Sequence, residues 1–343
     1  VIQLGEQLLL LCVERPQRLP QYSGKVCAFG APDVDGIVGE SEAAWQLRNR
    51  IAFVGPLRGH VLLLGQPGVG KELVANSLHR LSGRSGALVA RNSSTIPDTL
   101  IDAELFGNAE NYPNAGMRER KGLIGAAHGG TLFLDEFGEL SLPMQTHLLR
   151  VLDGGEYQRL GDTTVRHSDF RLLAATNRPV SALRQDLLSR FELTVEVPDL
   201  APRREDVPLI VVRLLEEMAA EEPFVRERFL PDDASARISF ASIHHLVATP
   251  PPGNVRGLKH ALWRAIEGTT GHLIDALPPW NSEGASQSDA APLDALRLQR
   301  ALEASGGSIE KARRELGLSS RFALMRLMKK HGVTIRKTPT SSG

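Results

Sequence analysis

The chain has 343 residues, with 40 basic and 40 acidic side chains, a formal net charge of zero, 42% apolar residues and two cysteines. That length suits two or three domains, and the apolar share excludes a disordered chain. The longest apolar run, Leu8 to Val13, falls far short of the roughly 20 residues of a membrane helix, so no membrane partner is expected. Glu6 precedes that run and no basic segment leads it, so a signal peptide is not expected either. The start at Val1 instead of Met points to a piece of a longer protein. Cys12 and Cys27 have neither metal spacing nor a CxxC pattern, which predicts a reducing, cytoplasmic setting. The zero charge is unevenly composed. Residues 293–343 hold 11 Lys/Arg against four Asp/Glu, a balance of +7, and residues 1–292 hold 29 against 36, a balance of −7. A basic end of this kind is expected of an appended nucleic-acid module.

In chain order, residues 1–36 form one apolar stretch followed by a linker bearing Pro and Gly. Residues 37–200 alternate short apolar runs with helical patterns. The runs are His60–Leu64, Ala87–Arg91, Thr131–Leu134, Phe170–Ala175 and Leu193–Val197. Short buried strands between helices predict an α/β fold, a parallel sheet with helices on both faces. After the first run comes Gly65-Gln66-Pro67-Gly68-Val69-Gly70-Lys71-Glu72, and a helical pattern follows to Leu81. Glycines let a backbone turn its N–H groups onto a phosphate, the helix N-terminus adds positive partial charge, and Lys71 would reach the β- and γ-phosphates. Glu72 stands where a generic phosphate loop has the Ser or Thr that binds magnesium. The third run ends in Asp135 and Glu136, two carboxylates at the carboxyl end of a strand, where open α/β sheets bind ligands. Asp135 is expected to hold Mg²⁺ through water and Glu136 to polarise the attacking water. The fourth run ends in Thr176 and Asn177, a polar pair suited to sensing a γ-phosphate, though such a pair alone is equally a turn. Arg184 and Arg190 lie six residues apart on a helix-like stretch, either as surface arginines or as groups offered to a neighbouring subunit's nucleotide.

Residues 201–277 contain helical patterns and no convincing strand, and Arg256 opens a helix there from which it would meet phosphate. Residues 278–292 are composed like a flexible linker. Residues 293–337 are helical and basic: a first helix over Leu296–Ala304, a second over Ile309–Leu316 capped by Ser308, and a third over Ser319–Lys330. Arg321, Arg326, Lys329 and Lys330 would offer phosphate or base contacts from the third.

Gly65–Glu72 with Leu73-Val74-Ala75 resembles the GESGTGKELVA segment of bacterial sigma-54-dependent transcription activators, which are AAA+ ATPases. The resemblance continues in order through Ile96–Leu100, Glu104–Gly107, Gly129–Leu140, Leu148–Leu152, Ala174–Arg178, Arg203–Pro208 and Gly253–Arg256, and so spans residues 37–275. It implies an α/β nucleotide-binding subdomain over 37–200 and an all-α lid over 201–277, with ATP and Mg²⁺ as cofactors. It accounts for Glu72, because this family carries Glu after the phosphate-loop lysine. It implies that Asn92 restrains Glu136, that Thr176 and Asn177 form the first sensor, and that Arg256 is the second. Arg184 and Arg190 become arginine fingers acting in trans within a hexameric ring. The family's GAFTGA loop, which touches sigma-54 RNA polymerase, would fall on Asn111–Gly116, and none of its six positions is kept. The expectation is therefore retained ATP chemistry without the usual remodelling of that polymerase.

Residues 293–343 resemble the Fis-type helix-turn-helix that ends many members, with Phe322-Ala323-Leu324 departing from the usual pattern, so DNA is the expected partner. A basic dimerisation helix is the alternative. The segment from Val1 to Leu11 resembles the closing strands of a forkhead-associated domain, against a plain apolar β-hairpin of other parentage. As a whole the chain is expected to be an ATP-dependent DNA-binding regulator. The alternatives are a repressor or modulator using the AAA+ part as a nucleotide-gated assembly switch, and an AAA+ enzyme acting on another substrate, such as a chelatase or unfoldase.

Overall fold

The computed structural model describes residues 2–4, 8–10, 28–97, 100–231, 236–280 and Gln299. The chain divides into two compact units, Val1–Trp280 and Asn281–Gly343. The expected helix-turn-helix, with Arg321, Arg326, Lys329 and Lys330, lies outside the described residues, as do Cys12 and Cys27.

The first unit opens with strands β1 (Ile2–Leu4) and β2 (Leu8–Leu10), paired antiparallel with Ile2 opposite Leu10. Helix α1 (Glu42–Val54) starts where Ser41 accepts a hydrogen bond from the Ala44 N–H. It buries Ala44, Leu47, Ile51 and Val54, a 3.6-residue stripe. The order continues β3 (Val61–Leu64), α2 (Lys71–Leu81), β4 (Leu88–Asn92), α3 (Ile101–Phe106), α4 (Gly122–Ala126), β5 (Thr131–Asp135) and α5 (Leu142–Gly154). A small ribbon of β6 (Glu156–Tyr157) and β7 (Arg166–His167) follows, then β8 (Arg171–Thr176), α6 (Gln185–Leu188) and β9 (Leu193–Glu196).

All five apolar runs of the sequence become strands of one parallel sheet in the order β4-β5-β8-β3-β9. The side chains alternate between two cores. Leu62, Leu132, Leu134, Leu172 and Ala174 pack with Ile101, Leu105, Ile124 and Leu148 from α3, α4 and α5. Val61, Leu63, Phe133, Leu173 and Val195 pack on the other face with Leu47, Ile51, Val74 and Leu78 from α1 and α2. Burial on both faces is why these strands read as continuous apolar runs and not as alternation.

One charged residue sits inside that sheet. Arg171 opens β8 with no exposed surface, and its guanidinium donates to Val54 O at 2.9 Å, Gly55 O at 2.8 Å and Gly59 O at 3.0 Å. It thereby satisfies the Val54 and Gly55 carbonyls at the end of α1, which no helical N–H can reach, and the Gly59 carbonyl in the loop before β3. Burial lowers its pKa to about 10, with the charge of Arg84 adding to the shift.

The remainder of the unit is helical: α7 (Val207–Glu221), α8 (Pro223–Phe229), α9 (Phe240–Ala248) and α10 (Asn254–Gly268). Val211, Leu215, Met218, Phe229, Leu246, Leu258 and Leu262 form its core. Trp280, within the segment read as linker, lies with its ring 4.7 Å from that of His245. Among the described residues, no helix is long and apolar enough to cross a membrane.

Candidate nucleotide site

The carboxyl ends of β3, β5 and β8 lie side by side, which brings three separate sequence motifs to one edge of the sheet. Leu64 stands beside Thr176 in the ladder, and Gly65 N–H donates to Thr176 O at 3.3 Å. Beyond Gly65 the loop turns through Gly68 at φ +77° and Gly70 at φ +102°, left-handed backbone that favours glycine. Lys71 starts α2 and is only 9% exposed. Its Nζ donates to Gly65 O at 2.9 Å and Gln66 O at 3.2 Å, so the ammonium sits inside the loop. Burial lowers its pKa, while the charges of Asp135 and Glu136 oppose that shift. Glu72 is exposed on the first turn of α2, where its charge favours the helix N-terminus.

Asp135 ends β5 half-buried, and its Oδ1 accepts from the Glu136 N–H at 2.9 Å. Glu136 takes φ +51°, left-handed backbone uncommon for a residue with a side chain. Such a conformation costs about 1–3 kcal/mol and recurs at functional sites. Thr176 is buried beside this turn and its Oγ1 accepts the Arg178 N–H at 3.0 Å, while Asn177 is exposed. Arg178 in turn pairs with Glu139 at 2.5 Å, which ties the turn after β8 to the turn after Glu136. Neither residue of that pair was singled out in the sequence, because the contact joins two motifs 39 residues apart.

Asn92 lies beside Asp135 in the ladder between β4 and β5. Its Oδ1 accepts from the Ser94 N–H at 2.9 Å and the Ser94 hydroxyl at 2.8 Å, so its carbonyl oxygen is engaged locally and Nδ2 is the group that would donate to a carboxylate. Arg184 and Arg190 do not share one helix. Arg184 caps the four-residue α6, and Arg190 follows the helix end. Both hold to their own chain. Arg184 pairs with Asp186 and donates to Thr146 Oγ1 at 2.6 Å, and Arg190 pairs with Asp153 at 2.7 Å. Thr146 and Asp153 both belong to α5, so one helix carries both arginines.

The lid reaches the phosphate loop through its Gly253–Arg256 turn. Arg256 N–H donates to Gly68 O at 3.3 Å, and a Cβ on Gly68 would lie 2.3 Å from Gly253 O. Asn254, at φ +57°, accepts the Leu200 N–H at 2.8 Å and donates from Nδ2 to Pro67 O at 3.2 Å. It therefore ties the lid turn to the phosphate loop and to the turn that leads into the lid. The residue sits within a motif the sequence displays, but its role follows only from partners far along the chain. Between Gly68–Gly70 and the lid lies a cavity of about 270 Å³ walled by Val38, Val74, Ile210, Leu214 and Val255, and lined as well by Arg203, Arg213, Glu217, Arg256 and Lys259. An apolar slot beside a glycine-rich loop suits a flat base next to its phosphates.

The segment at the position of the GAFTGA loop is a closed turn. Buried Asn108 donates from Nδ2 to the carbonyls of Ala109, Tyr112 and Arg118. Asn111 donates to Met117 O at 2.7 Å and accepts the Gly116 N–H at 2.8 Å on its side chain. Residues 110–121 are exposed.

This sheet order, with a phosphate loop after its β3 strand and a helical lid resting on that loop, is an AAA+ fold. The profile of the sigma-54 interaction domain matches residues 37–196. The transcriptional regulatory protein ZraR of Escherichia coli K12 is 36% identical over 310 residues, covering 85% of this chain and 68% of ZraR. The anaerobic nitric oxide reductase transcription regulator NorR of Aeromonas hydrophila is 38% identical over 260 residues, covering 73% of this chain and 49% of NorR. Among solved structures, NtrX from Brucella abortus in complex with ADP superposes with a TM-score of 0.62 at 30% identity, covering 88% of this chain and 70% of NtrX. The same protein in complex with ATP gives a TM-score of 0.62 at 29% identity, covering 89% of this chain and 71% of NtrX. The chain belongs to the family of transcriptional regulators that carry the sigma-54 interaction domain.

Proposed function

We propose that this chain binds and hydrolyses ATP with magnesium between the phosphate loop and the helical lid, and uses that chemistry as an oligomeric, DNA-binding transcription regulator in the cytoplasm. The observation that supports the reading best is the convergence of Lys71, Asp135, Glu136 and Thr176 at one sheet edge, with Arg256 resting on Gly68. The left-handed glycines and the buried, inward-turned lysine fit a polyphosphate. Complexes of NtrX with ADP and with ATP support the same reading.

In this mechanism residues 65–72 cradle the phosphates, and Lys71 exchanges its two loop carbonyls for phosphate oxygens. Magnesium, when bound, neutralises charge on those oxygens. Among the described residues no group of three or more His, Cys, Asp or Glu is gathered for a metal. Asp135 would hold the ion through water. Glu136 takes the proton of the attacking water. Thr176 and Asn177 register the γ-phosphate, Asn92 restrains Glu136, and Arg256 reports nucleotide to the lid. Arg184 and Arg190 act on the nucleotide of a neighbouring subunit, in a hexamer by the family resemblance. Residues 201–277 serve as lid, 278–292 as linker and 293–343 as the DNA-binding part. Arg321, Arg326, Lys329 and Lys330 contact DNA there, and residues 1–36 are the remnant of a preceding domain and its linker.

Lys71→Ala is expected to abolish ATP binding, and Glu136→Gln to keep binding while lowering turnover by two orders of magnitude or more. An arginine supplied in trans is worth about 10³–10⁵ in rate, so turnover per subunit should rise with protein concentration. Turnover independent of concentration would remove the trans role of Arg184 and Arg190.

A second reading is favoured by the replaced loop at Asn111–Gly116. There the AAA+ part is a nucleotide-gated assembly switch of a repressor or modulator, without sigma-54 remodelling. Open-complex formation at a sigma-54 promoter separates the two: robust activation lost in Glu136→Gln would overturn the second reading.

A further inference from the structure

One buried cation on the nucleotide cavity has no part in the mechanism above. Arg203 is 3% exposed and lies in the turn Ala201–Asp206, where φ −124° and ψ 45° break the helical conformation just ahead of α7. Its guanidinium makes a single hydrogen bond, to Val69 O at 3.5 Å, and its buried Nε has no partner. It lines the cavity together with Gly68, Val69 and Gly70. Burial lowers its pKa against the opposing charges of Asp206 and Asp199, yet a guanidinium stays protonated in a protein. A buried donor without an acceptor is costly, more so when it is charged.

The carboxylate of Asp206 is occupied by other groups. Asp206 accepts the Glu40 N–H at 2.6 Å and the Ser41 N–H at 2.8 Å on Oδ1, and the Ser41 hydroxyl at 2.6 Å on Oδ2. Buried Arg48 donates to Gly39 O at 2.6 Å and Ile37 O at 3.0 Å. Together these bonds hold residues 37–41, which carry the Val38 side of the cavity, without any contribution from Arg203. Arg203 lines a slot with apolar Val38, Val74, Ile210, Leu214 and Val255 and with charged Arg213, Glu217, Arg256 and Lys259, and the Glu217 carboxylate there is held by Arg213 at 3.2 Å. The phosphate half of the site has cations of its own in Lys71 and Arg256.

We propose that Arg203 is a nucleotide-contacting residue, whose guanidinium donates to an acceptor on the base–ribose half of a bound nucleoside triphosphate. This rests on the nucleotide-binding reading above and adds the residue that would distinguish a nucleotide from a bare polyphosphate. The test is calorimetric titration of the full chain with ATP, ADP and inorganic tripolyphosphate, for wild type, Arg203→Met and Arg203→Lys. Arg203→Lys keeps the positive charge beside Asp206, so it guards against a variant that fails to fold, and it lacks the planar fork. The expected result is a loss of about tenfold or more in ATP and ADP affinity in both variants, as for a charged hydrogen bond, with tripolyphosphate affinity unchanged. Equal losses for all three ligands would overturn the proposal, since Arg203 would then act through the phosphate loop at Val69. Unchanged affinities would also overturn it. A wild-type chain that binds neither ATP nor tripolyphosphate would remove the nucleotide reading itself, and this inference with it.

Discussion

At the scale of single residues, burial decides what each polar group can do. His60 sits just ahead of β3, and its Nδ1 accepts the Leu172 N–H at 3.0 Å, which requires a neutral ring. Burial foremost, then the charges of Arg171 and Arg84, lowers its pKa from 6.5 to about 4. The unfolded chain thus takes up a proton near pH 6.5 that the folded chain refuses until about pH 4. Stability should be fully present above pH 6.5 and fall as pH drops toward 4, by about 3 kcal/mol at most. Urea unfolding across that range checks this, and His60→Gln should flatten the slope. Arg171 is the complementary case, a permanent charge made tolerable by three carbonyls. Arg171→Leu would remove the guanidinium donor from all three, leaving Val54 O only the Leu57 N–H, and is expected to cost about 3 kcal/mol in the same assay. The apolar run from Phe170 to Ala175 identifies the strand, but nothing local in it says that its one arginine points at the end of α1.

At the scale of elements, the informative contacts join the sheet to the lid. Gly68 lets Gly253 lie against the phosphate loop, and Asn254 fastens the lid turn to Pro67 and Leu200. Gly68→Ala would put a methyl 2.3 Å from Gly253 O at a φ of +77°. The lid turn must then withdraw, and ATP affinity should fall by roughly tenfold or more, while Thr131–Asp135 and its neighbours stay folded. Titration with ATP alongside circular dichroism separates these effects. The α5 helix is a second such element. It follows the Glu136 turn and holds Arg184 through Thr146 and Arg190 through Asp153. Glycine placement made the phosphate loop readable from the sequence. The polar contacts of α5 with Arg184 and Arg190 were not readable, because partners 37 or 38 residues apart leave no local pattern.

At the scale of the whole molecule, the zero net charge is a cancellation between an acidic body and a basic end. The two compact units divide at Trp280, close to where the sequence turns linker-like. Removal of residues 281–343 should leave ATP binding intact and abolish DNA binding in a filter or anisotropy assay. DNA affinity of the full chain should fall steeply with salt as counterions are released. Affinity indifferent to salt would instead mark 293–343 as a protein-docking segment.

The sequence by itself determined the parallel α/β sheet, the phosphate loop at Gly65–Lys71 and the carboxylates at Asp135 and Glu136. Each of these depends on a run of neighbouring residues whose polarity and backbone freedom dictate one local conformation. Only the tertiary structure decided that Arg184 and Arg190 rest on α5 and that Asn254 latches the lid. It alone set Arg203 at the cavity wall with a single hydrogen bond, to Val69 O. Those outcomes depend on which groups meet across the fold once burial has removed water as the alternative partner, and no stretch of chain carries that information alone.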